Sequence, residues 1–535
     1  GKAPPAANPV PERAGNYPEG NTFGMLPVRG LYIRHADDVV LKDVKLTCAD
    51  ADAEAISKVA KIVVCPGGRL LFYQNKTPIT VNAAIEGPGE VKAYQCSAPV
   101  TFAGDNRHRK GPLNIEDSDV IVANDYGLGG PGSPSALITV YSNHTRGKLS
   151  FVPADGKDVI TNHCGLVYSI PEVVNGVHSE TYPPIVLGST ATDTYFVQDG
   201  DLLLESPTNK KFIYFTNNYE QVSGTFGCKT FQAAIYIYPK GVTADTKVTF
   251  SGTTRIRNGL DVAPYTTSDI FIYGGTYRFG NSGGANFQAL TVHIPTFVHF
   301  DIDDAFHPYL DPVETGRAYG VYALEPYTAD QVQYKNSFDL HGHDLKVCAL
   351  LDRSAGNASK YFYLRTEDDR PCTVSLIGDK AGSTFASSCE FRGPVSLVVD
   401  NGAVNAFTSR VSRTEGSLVV KTGTASFSSA GAWSGTNAVV KAGATLSAAT
   451  ESVPKMFVDE LGEPHASLTL EQDSTLALAD GITKVRTLTV NGELYYRGTY
   501  GGLDSSAARK IANIAGRGRL KVTEGPAYGL SIIVR

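Results

Sequence analysis

The sequence predicts an all-β chain, a right-handed parallel β-helix or solenoid with loop insertions and few short helices. Three observations lead to this prediction. Short alternating or apolar runs, separated by Gly, Asn and Asp, fill most of the chain. The C-terminal third repeats itself at a spacing of about 20 residues. Helical signals are scarce, and β segments without intervening helices argue against a doubly wound α/β fold.

Composition limits the classes of function. The chain has 535 residues, a formal net charge of −6 and only 19% charged residues, so it carries no basic field that would attract nucleic acid. The sequence contains no run of 18 or more uninterrupted apolar residues, so it predicts no membrane-spanning helix. The sequence also lacks a phosphate-binding P-loop, a dinucleotide fingerprint, a serine-hydrolase elbow and a His-Glu-x-x-His motif. We therefore expect no cofactor.

The first two-thirds of the chain contain short candidate strands and few helical signals. Runs typical of strands lie at 62–65, 213–215, 235–238, 247–251, 269–273 and 297–301. The best helix candidates are 50–59 and 505–514, because each is rich in alanine and follows an Asp or Ser that could cap it.

The repeat itself is easiest to see near the C-terminus. Its copies lie at 396–402 (SLVVDNG), 417–423 (SLVVKTG), 437–443 (NAVVKAG), 467–470, 487–492 and 519–522. Such spacing suits one coil of a solenoid, with occasional loop insertions. Strands of each coil would pair in parallel with the next, apolar residues would stack, and Gly and Asn would turn the corners.

Residues 30–44 (GLYIRHADDVVLKDV), preceded by 16–19 (NYPE) and 23–27 (FGMLP), resemble the last coils of polygalacturonase-type β-helix glycosidases, glycoside hydrolase family 28. The resemblance covers about the first 55 residues. It implies a β-helical, carbohydrate-related polypeptide whose central catalytic coils would precede residue 1.

A second resemblance concerns the C-terminal part, from about residue 338. Residues 338–347 (FDLHGHDLKV) look like the Leu-Asn-Gly-His strand of autotransporter passenger repeats, and 487–500 resemble the closing hairpin and Gly-Thr-Tyr turn of those repeats. This resemblance implies an elongated, secreted or cell-surface protein that is usually non-catalytic.

Together these features predict three domains. Residues 1–57 would be a Pro-rich lead-in with hydrolase-like terminal coils, 58–331 a β-rich middle region of coils with insertions, and 332–535 passenger-like repeats with a C-terminal cap. The eight cysteines are widely separated and form no Cys-x-x-Cys pair. They permit up to four disulfides, but buried free thiols are an equal alternative.

The candidate catalytic residues are Asp301, Asp303 and Asp304. On a strand, Asp301 and Asp303 would face the same side about 6.5–7 Å apart, within the carboxyl separation of inverting glycosidases. The alternative is that these residues face solvent or form a turn beside a core-facing Phe300. A metal site could add His299 or His307, but without a fixed ligand spacing no metal is predicted.

His341-Gly342-His343 is similar to the Gly-His-Gly of pectinases. Its register fits a corner of the passenger-like repeat better, and we therefore expect a structural role for these histidines.

Aromatic residues supply the candidate glycan-binding positions. These are Tyr214, Tyr219, Tyr273 and Tyr277, with Asn217 and Asn281 as neighbours that could bond sugar hydroxyls. The alternative is cross-strand packing, for which β proteins commonly use Tyr and Phe.

The sequence thus predicts a secreted or cell-surface, non-catalytic β-helical module with a structural, adhesive or glycan-associated role. Its expected partners are a polysaccharide or cell-surface glycan, or further copies of itself. The alternative function is a pectinase-like glycoside hydrolase that acts on acidic polysaccharide.

Overall fold

A computed structural model describes most, but not all, of the chain. The described residues are 38–41, 45–48, 59–139, 149–154, 156–169, 185–188, 195–205, 210–215, 218–228, 234–239, 247–250, 253–255, 269–279, 285–286, 289–300, 303, 323–327, 336–351, 362–408, 411–429 and 431–526. This part is nearly all strand and includes no α-helix; a 3₁₀ turn occurs at Val453–Lys455. It contains no helix of the length and hydropathy that crossing a bilayer requires.

The chain forms two compact units: Gly1–Thr208 with Phe212–Phe231, and Asn209–Lys211 with Gln232–Arg535. The domain boundaries expected from sequence, at 57/58 and 331/332, stay predictions.

The strands up to Cys228 are β1 Asp38–Leu41, β2 Lys45–Cys48, β3 Lys61–Val64, β4 Arg69–Tyr73, β5 Ile79–Val81, β6 Ala84–Glu86, β7 Glu90–Tyr94, β8 Val100–Phe102, β9 Leu113–Glu116, β10 Val120–Val122, β11 Ala136–Thr139, β12 Leu149–Phe151, β13 Val159–Asn162, β14 Leu166–Ser169, β15 Ile185–Gly188, β16 Tyr195–Asp199, β17 Leu202–Glu205, β18 Lys210–Phe215, β19 Asn218–Ser223 and β20 Thr225–Cys228.

The strands from Ala234 to Phe407 are β21 Ala234–Pro239, β22 Lys247–Phe250, β23 Thr253–Arg255, β24 Asp269–Phe279, β25 Ala285–Asn286, β26 Ala289–Phe300, β27 Ala323–Tyr327, β28 Asn336–Asp339, β29 Leu345–Val347, β30 Ala349–Leu350, β31 Phe362–Arg365, β32 Cys372–Ile377, β33 Thr384–Ser387, β34 Cys389–Gly393 and β35 Val395–Phe407.

The remaining strands are β36 Val411–Thr414, β37 Ser417–Phe427, β38 Ala432–Ser434, β39 Asn437–Val440, β40 Thr445–Ala448, β41 Ser467–Leu470, β42 Thr475–Leu478, β43 Ile482–Val485, β44 Leu488–Val490, β45 Glu493–Leu494, β46 Gly498–Gly501, β47 Arg509–Lys510, β48 Ile514–Ala515 and β49 Arg519–Val522.

In the first unit, parallel strands form two long series and two short ones, and one of the short series joins β1, β3 and β6. The longest series is β2-β4-β7-β9-β11-β14-β17-β20. The others are β5-β8-β10-β12-β15-β18 and β13-β16-β19. Two strands that pair within a series are not consecutive in the sequence. Strands of the other series lie between them along the chain.

The second unit uses the same scheme. One parallel series is β22-β24-β26-β28-β31-β34-β36-β38, and another is β29-β32-β35-β37-β39-β41-β44. Among the described strand pairs the antiparallel exceptions are β44–β45 and β46–β49, near the C-terminus.

In-register pairing stacks side chains of one kind across the second unit. The residues of one such ladder are Leu345, Val374, Leu397, Leu418, Ala438, Leu468 and Leu488, each paired with the next. All seven are buried. Alternate residues such as Val419 lie on the other face and are only half-buried, as the period of two in a strand requires. The core of the second unit is therefore a set of columns that run across the strands.

The repeat predicted from the sequence is confirmed for its first five copies, since β35, β37, β39, β41 and β44 pair in the expected register. The sixth copy, at 519–522, is a strand but leaves the series. It pairs in parallel with β43 and antiparallel with β46. A similar local pattern does not fix the partner of a strand.

The helix predicted at 505–514 is wrong. Ser505 caps a turn, with its hydroxyl donating to the carbonyl of Gly502, but β47 and β48 follow instead of a helix. Ile514 pairs with Leu476 of β42. A ten-residue segment has little helical stability of its own, so this pairing decides its conformation. The helix predicted at 50–59 lies outside the described residues except for Val59.

Buried amide side chains satisfy the backbone where the register of β35 and β37 shifts. Asn401 is fully buried; its Nδ2 donates to the carbonyl of Cys348 at 2.8 Å, and its Oδ1 accepts from the backbone of Ala403 at 3.2 Å. In the neighbouring strand β37, Gly423 has a φ of +73°, and a Cβ there would collide with the carbonyl oxygen of Ala403. Asn and Gly at these positions thus serve hydrogen bonding and close backbone approach.

A buried arginine ties several turns of the first unit together. Arg109 is 1% exposed; its Nε donates to the carbonyl of Leu128 at 2.9 Å and its Nη2 to that of Pro134 at 2.6 Å. Its Nη1 donates to the carbonyl of Gly111. Desolvation lowers the pKa of the guanidinium, and burial raises the pKa of the neighbouring Cys164 thiol. Arg109 is therefore a structural clamp with its donors committed to backbone carbonyls.

The cysteines whose side chains the structure describes form no disulfide bond; they are Cys65, Cys96, Cys164, Cys348, Cys372 and Cys389. Burial raises the pKa of Cys372 to about 12. For these six, the structure bears out the alternative of buried or half-buried thiols.

We expect Leu418→Ala to destabilise the second unit by about 2–5 kcal/mol, because it leaves a cavity in the Leu397–Leu418–Ala438 column. Trp433, the only tryptophan, is fully buried in this unit, so denaturant unfolding followed by its fluorescence measures the effect. Val419→Ala is the control, and we expect it to cost less than about 1 kcal/mol because that side chain faces outward. Equal losses for both variants would contradict the columnar core.

We expect Arg109→Met to destabilise the first unit by about 3 kcal/mol or more, because it strands two buried carbonyl acceptors and a third, partly buried one, at about 1–3 kcal/mol each. Hydrogen exchange of the strands β7, β9 and β11 measures this, since it reports the first unit by itself. Lys110→Met, at an exposed neighbouring position, is the control. Unchanged protection in Arg109→Met would show that the clamp contributes nothing.

Candidate functional site

The candidate metal centre begins with the register of β26 and β28. These strands pair in parallel, with Val298 opposite Phe338 and His299 opposite Asp339. Val298 and Phe338 are fully buried. By alternation, His299 and Asp339 point to the other face of the sheet. The sequence pattern therefore places an imidazole and a carboxylate side by side on adjacent strands.

A tight turn after β28 adds a second imidazole. The backbone N–H of His343 donates to the carbonyl of Leu340 at 2.7 Å, and the central residues His341 and Gly342 have φ values of +46° and +74°. Positive φ at both central positions is what a type I′ turn requires. The turn predicted at His341–Gly342 is thus present, and it folds the His341 ring back toward Asp339.

The three side chains form a close triangle. Nδ1 of His299 lies 3.1 Å from Nε2 of His341, and Oδ2 of Asp339 lies 3.3 Å from Nε2 of His341 and 3.8 Å from Nδ1 of His299. The imidazoles are 18% and 22% exposed, whereas Asp339 is 1% exposed. Two imidazole nitrogens and a carboxylate oxygen at such distances are a donor set that proteins use for metal ions.

The two oxygens of Asp339 differ in their surroundings. Oδ1 accepts hydrogen bonds from the backbone N–H groups of His341 at 3.0 Å and Glu367 at 3.2 Å. Oδ2 is fully buried and accepts no hydrogen bond from the described residues. The backbone therefore fixes the carboxylate so that its second oxygen faces the imidazoles.

Asp303 lies close to this cluster, as the neighbouring sequence positions suggested. Its carboxylate accepts hydrogen bonds from the backbone N–H of Asp344 at 3.0 Å and from Nδ1 of His343 at 3.1 Å, and these hydrogen bonds lower the pKa of Asp303. The side chain is 70% exposed. An ionised carboxylate suits a general base or nucleophile better than a general acid. Asp301 and Asp304 lie outside the described residues.

The structure describes one of the candidate glycan-binding side chains and corrects its assignment. Tyr219 is 1% exposed, its ring packs against Phe196, and its hydroxyl donates to Gln221. Burial raises the pKa of its hydroxyl. A buried ring offers no face to a sugar, so Tyr219 is a core residue. The other candidates, the side chains of Tyr214, Tyr273 and Tyr277 and the residues Asn217 and Asn281, lie outside the described part.

A half-buried stack in the first unit was missed by the sequence analysis. The guanidinium of Arg107 lies 4.2 Å from the ring centre of Tyr126, which in turn stacks on His163 at 4.6 Å. His163 Nδ1 lies 2.8 Å from one oxygen of Asp199, and Ser223 donates to the other at 2.5 Å. These two contacts, that of Ser223 first, lower the pKa of Asp199.

Ser223 and His163 bind different oxygens of the same carboxylate. A nucleophile and its general base have to bond each other, so this arrangement is not a catalytic triad. Its members come from separate stretches of the sequence and share no local motif, which is why sequence reasoning did not find them.

Two tyrosines form an exposed aromatic surface in the first unit. The rings of Tyr73 and Tyr94 stack at 5.8 Å with an interplanar angle of 9°, and the ammonium of Lys92 lies 4.7 Å from the centre of the Tyr94 ring. Tyr73 is 39% exposed. These residues are opposite each other on β4 and β7, so in-register pairing sets the stack.

Comparison of the chain with protein-family models, with curated proteins and with solved structures finds no match. The resemblances to polygalacturonases and to autotransporter passenger repeats therefore remain proposals.

Proposed function

We propose that this chain is a secreted or cell-surface scaffold protein whose units are right-handed parallel β-solenoids without a polysaccharide-cleaving centre. Its role in this proposal is structural, adhesive or glycan-associated, as part of a carbohydrate-related polypeptide. Resemblance to autotransporter passenger repeats suggests the location, and resemblance to the last coils of polygalacturonases suggests the carbohydrate context.

The observation that carries the proposal is the repeated parallel pairing of strands from successive stretches of sequence. In the first unit Leu70 pairs with Val91, Val91 with Leu113 and Leu113 with Ala136, all in one register. The same happens seven strands in a row in the β29-to-β44 series. A chain that adds one coil after another in register builds a stiff support from short repeats.

Charged pairs between coils support the same function. Lys92 of β7 lies 2.6 Å from Glu116 of β9, and Lys441 lies 2.5 Å from Glu471 one coil further on. Each exposed pair contributes about 0–1 kcal/mol. Their main effect is to keep a polar, regular surface on the outward face of the sheets.

The glycan-associated variant of the proposal rests on exposed aromatic rings. Sugars stack their apolar faces on such rings, and the Tyr73–Tyr94 pair offers one at the surface, whereas the charge of Lys92 beside it is already paired with Glu116. This pair takes the place of Tyr219 among the candidates.

We expect the second unit to tolerate removal of one whole repeat. Deletion of residues 397–417 brings Leu418 opposite Val374, where Leu397 was. It also removes β36, so β38 with Trp433 should pair directly with β34 and its Phe391. Circular dichroism and Trp433 fluorescence should show a cooperative, β-rich fold. The matched control is deletion of 397–407, about half a repeat, which shifts the register and should abolish cooperative unfolding. Failure of both deletions would contradict the solenoid.

We expect no release of reducing ends from pectic or other acidic polysaccharides. The assay compares the wild-type chain with Asp303→Asn, and a pectinase serves as positive control. Release by the wild type that Asp303→Asn abolishes would refute the scaffold proposal and favour the pectinase-like alternative. Release that survives the substitution would also refute it, and would place the catalytic residues elsewhere.

A further inference from the structure

The triangle of His299, Asp339 and His341 has no role in a scaffold as such. We propose that it is a binding site for one transition-metal dication of the Zn²⁺ class, with Nδ1 of His299, Nε2 of His341 and Oδ2 of Asp339 as protein ligands. This inference goes beyond the proposed function and does not depend on it.

The distances fit the bond lengths of such an ion. The point equidistant from the three donor atoms lies about 2.0 Å from each of them, and Zn²⁺ bonds to imidazole nitrogen and carboxylate oxygen measure about 2.0–2.2 Å. The triangle therefore needs no rearrangement to hold an ion at or slightly outside its plane.

The donor types select the class of metal. Imidazole suits Zn²⁺, Co²⁺, Ni²⁺ and Cu²⁺, and a set of two imidazoles with one carboxylate is among those that zinc proteins use. Ca²⁺ takes six to eight oxygen ligands, and Mg²⁺ binds through oxygen atoms and water. One carboxylate oxygen between two ring nitrogens meets neither requirement.

The state of Asp339 is the independent observation. A hydrogen bond between the two imidazoles, at 3.1 Å, explains their contact with each other but leaves Oδ2 of Asp339 buried and without a hydrogen bond from the described residues. A buried carboxylate oxygen in that position is costly. An ion in the triangle supplies its counter-charge, and the backbone N–H groups of His341 and Glu367 orient the carboxylate for it, as outer-shell donors do at metal sites.

The ion would have two consequences for the chain. It would tie the end of β26 to the turn after β28, and so fix the His341–Gly342 corner. The partial exposure of the imidazoles leaves the outer side of the triangle accessible to water as a further ligand.

The test is calorimetric titration of the full, untagged and chelator-treated chain with Zn²⁺. We expect one site per chain, and a rise in melting temperature with Zn²⁺ because the folded state binds the ion. Titration with Co²⁺ should give the absorption of a nitrogen- and oxygen-ligated ion without thiolate charge-transfer bands, which separates this site from the cysteines.

Two variants remove one ligand each while they keep the fold. Asp339→Asn retains an oxygen for the N–H groups of His341 and Glu367, and His341→Asn retains a residue that tolerates positive φ. Outer-shell changes alone weaken metal affinity about 10–100-fold, so loss of a ligand should weaken it by at least about 100-fold.

His343→Gln is the matched control. It lies in the same turn, but its ring contacts Asp303 instead of the triangle, and it should keep wild-type affinity. Trp433 fluorescence confirms that each variant is folded. Zn²⁺ affinity that is unchanged in Asp339→Asn, absence of stoichiometric binding to the wild type, or thiolate bands in the Co²⁺ spectrum would each overturn the proposal.

Discussion

The structure depends on one constraint: a strand pairs in parallel and in register with a strand from the next stretch of the sequence. Pairing of Leu397 with Leu418 and of Leu418 with Ala438 sets which side chains are buried, because a shift by one residue would exchange the two faces. Every backbone hydrogen bond of the ladder then supports the columns of apolar side chains. The turns, the buried hydrogen bonds of Arg109 and the ion pairs between strands all form within this register.

The same constraint explains why the polar clusters lie where they do. Phe338 is a core residue, so the next residue of β28, Asp339, points to the opposite face of the sheet. There its carboxylate lies beside His299, its partner on β26. The turn after β28 then sets the exposure of the Asp339 carboxylate. The positive φ of His341 folds the His341 ring over this carboxylate. A site of this kind needs no dedicated loop, only polar residues at paired positions of two adjacent strands and a tight turn that follows one of them.

The sequence predicted the part of the fold that repeats with little insertion. Copies at 396–402, 417–423 and 437–443 differ in spacing by one residue. Each has a Leu or Ala, a Val two residues later and a Gly at its end, and this shared pattern predicted both the strand and its register. The same pattern could not predict that the strand at 519–522 pairs with β43 and β46. Which strands pair depends on the path that the chain takes from one strand to the other.

The metal-ligand triangle lay beyond sequence reasoning for the same reason. Asp301, Asp303 and Asp304 attracted attention because they are neighbours in sequence, whereas His299 and Asp339 become neighbours only through a register that an insertion between β26 and β28 conceals. Tyr219 shows the converse: an aromatic residue in a polar segment looked accessible, yet its strand position buries it against Phe196. Where distant segments pair as parallel strands, polar side chains meet across the strands, and distance along the sequence is a poor guide to which of them lie together.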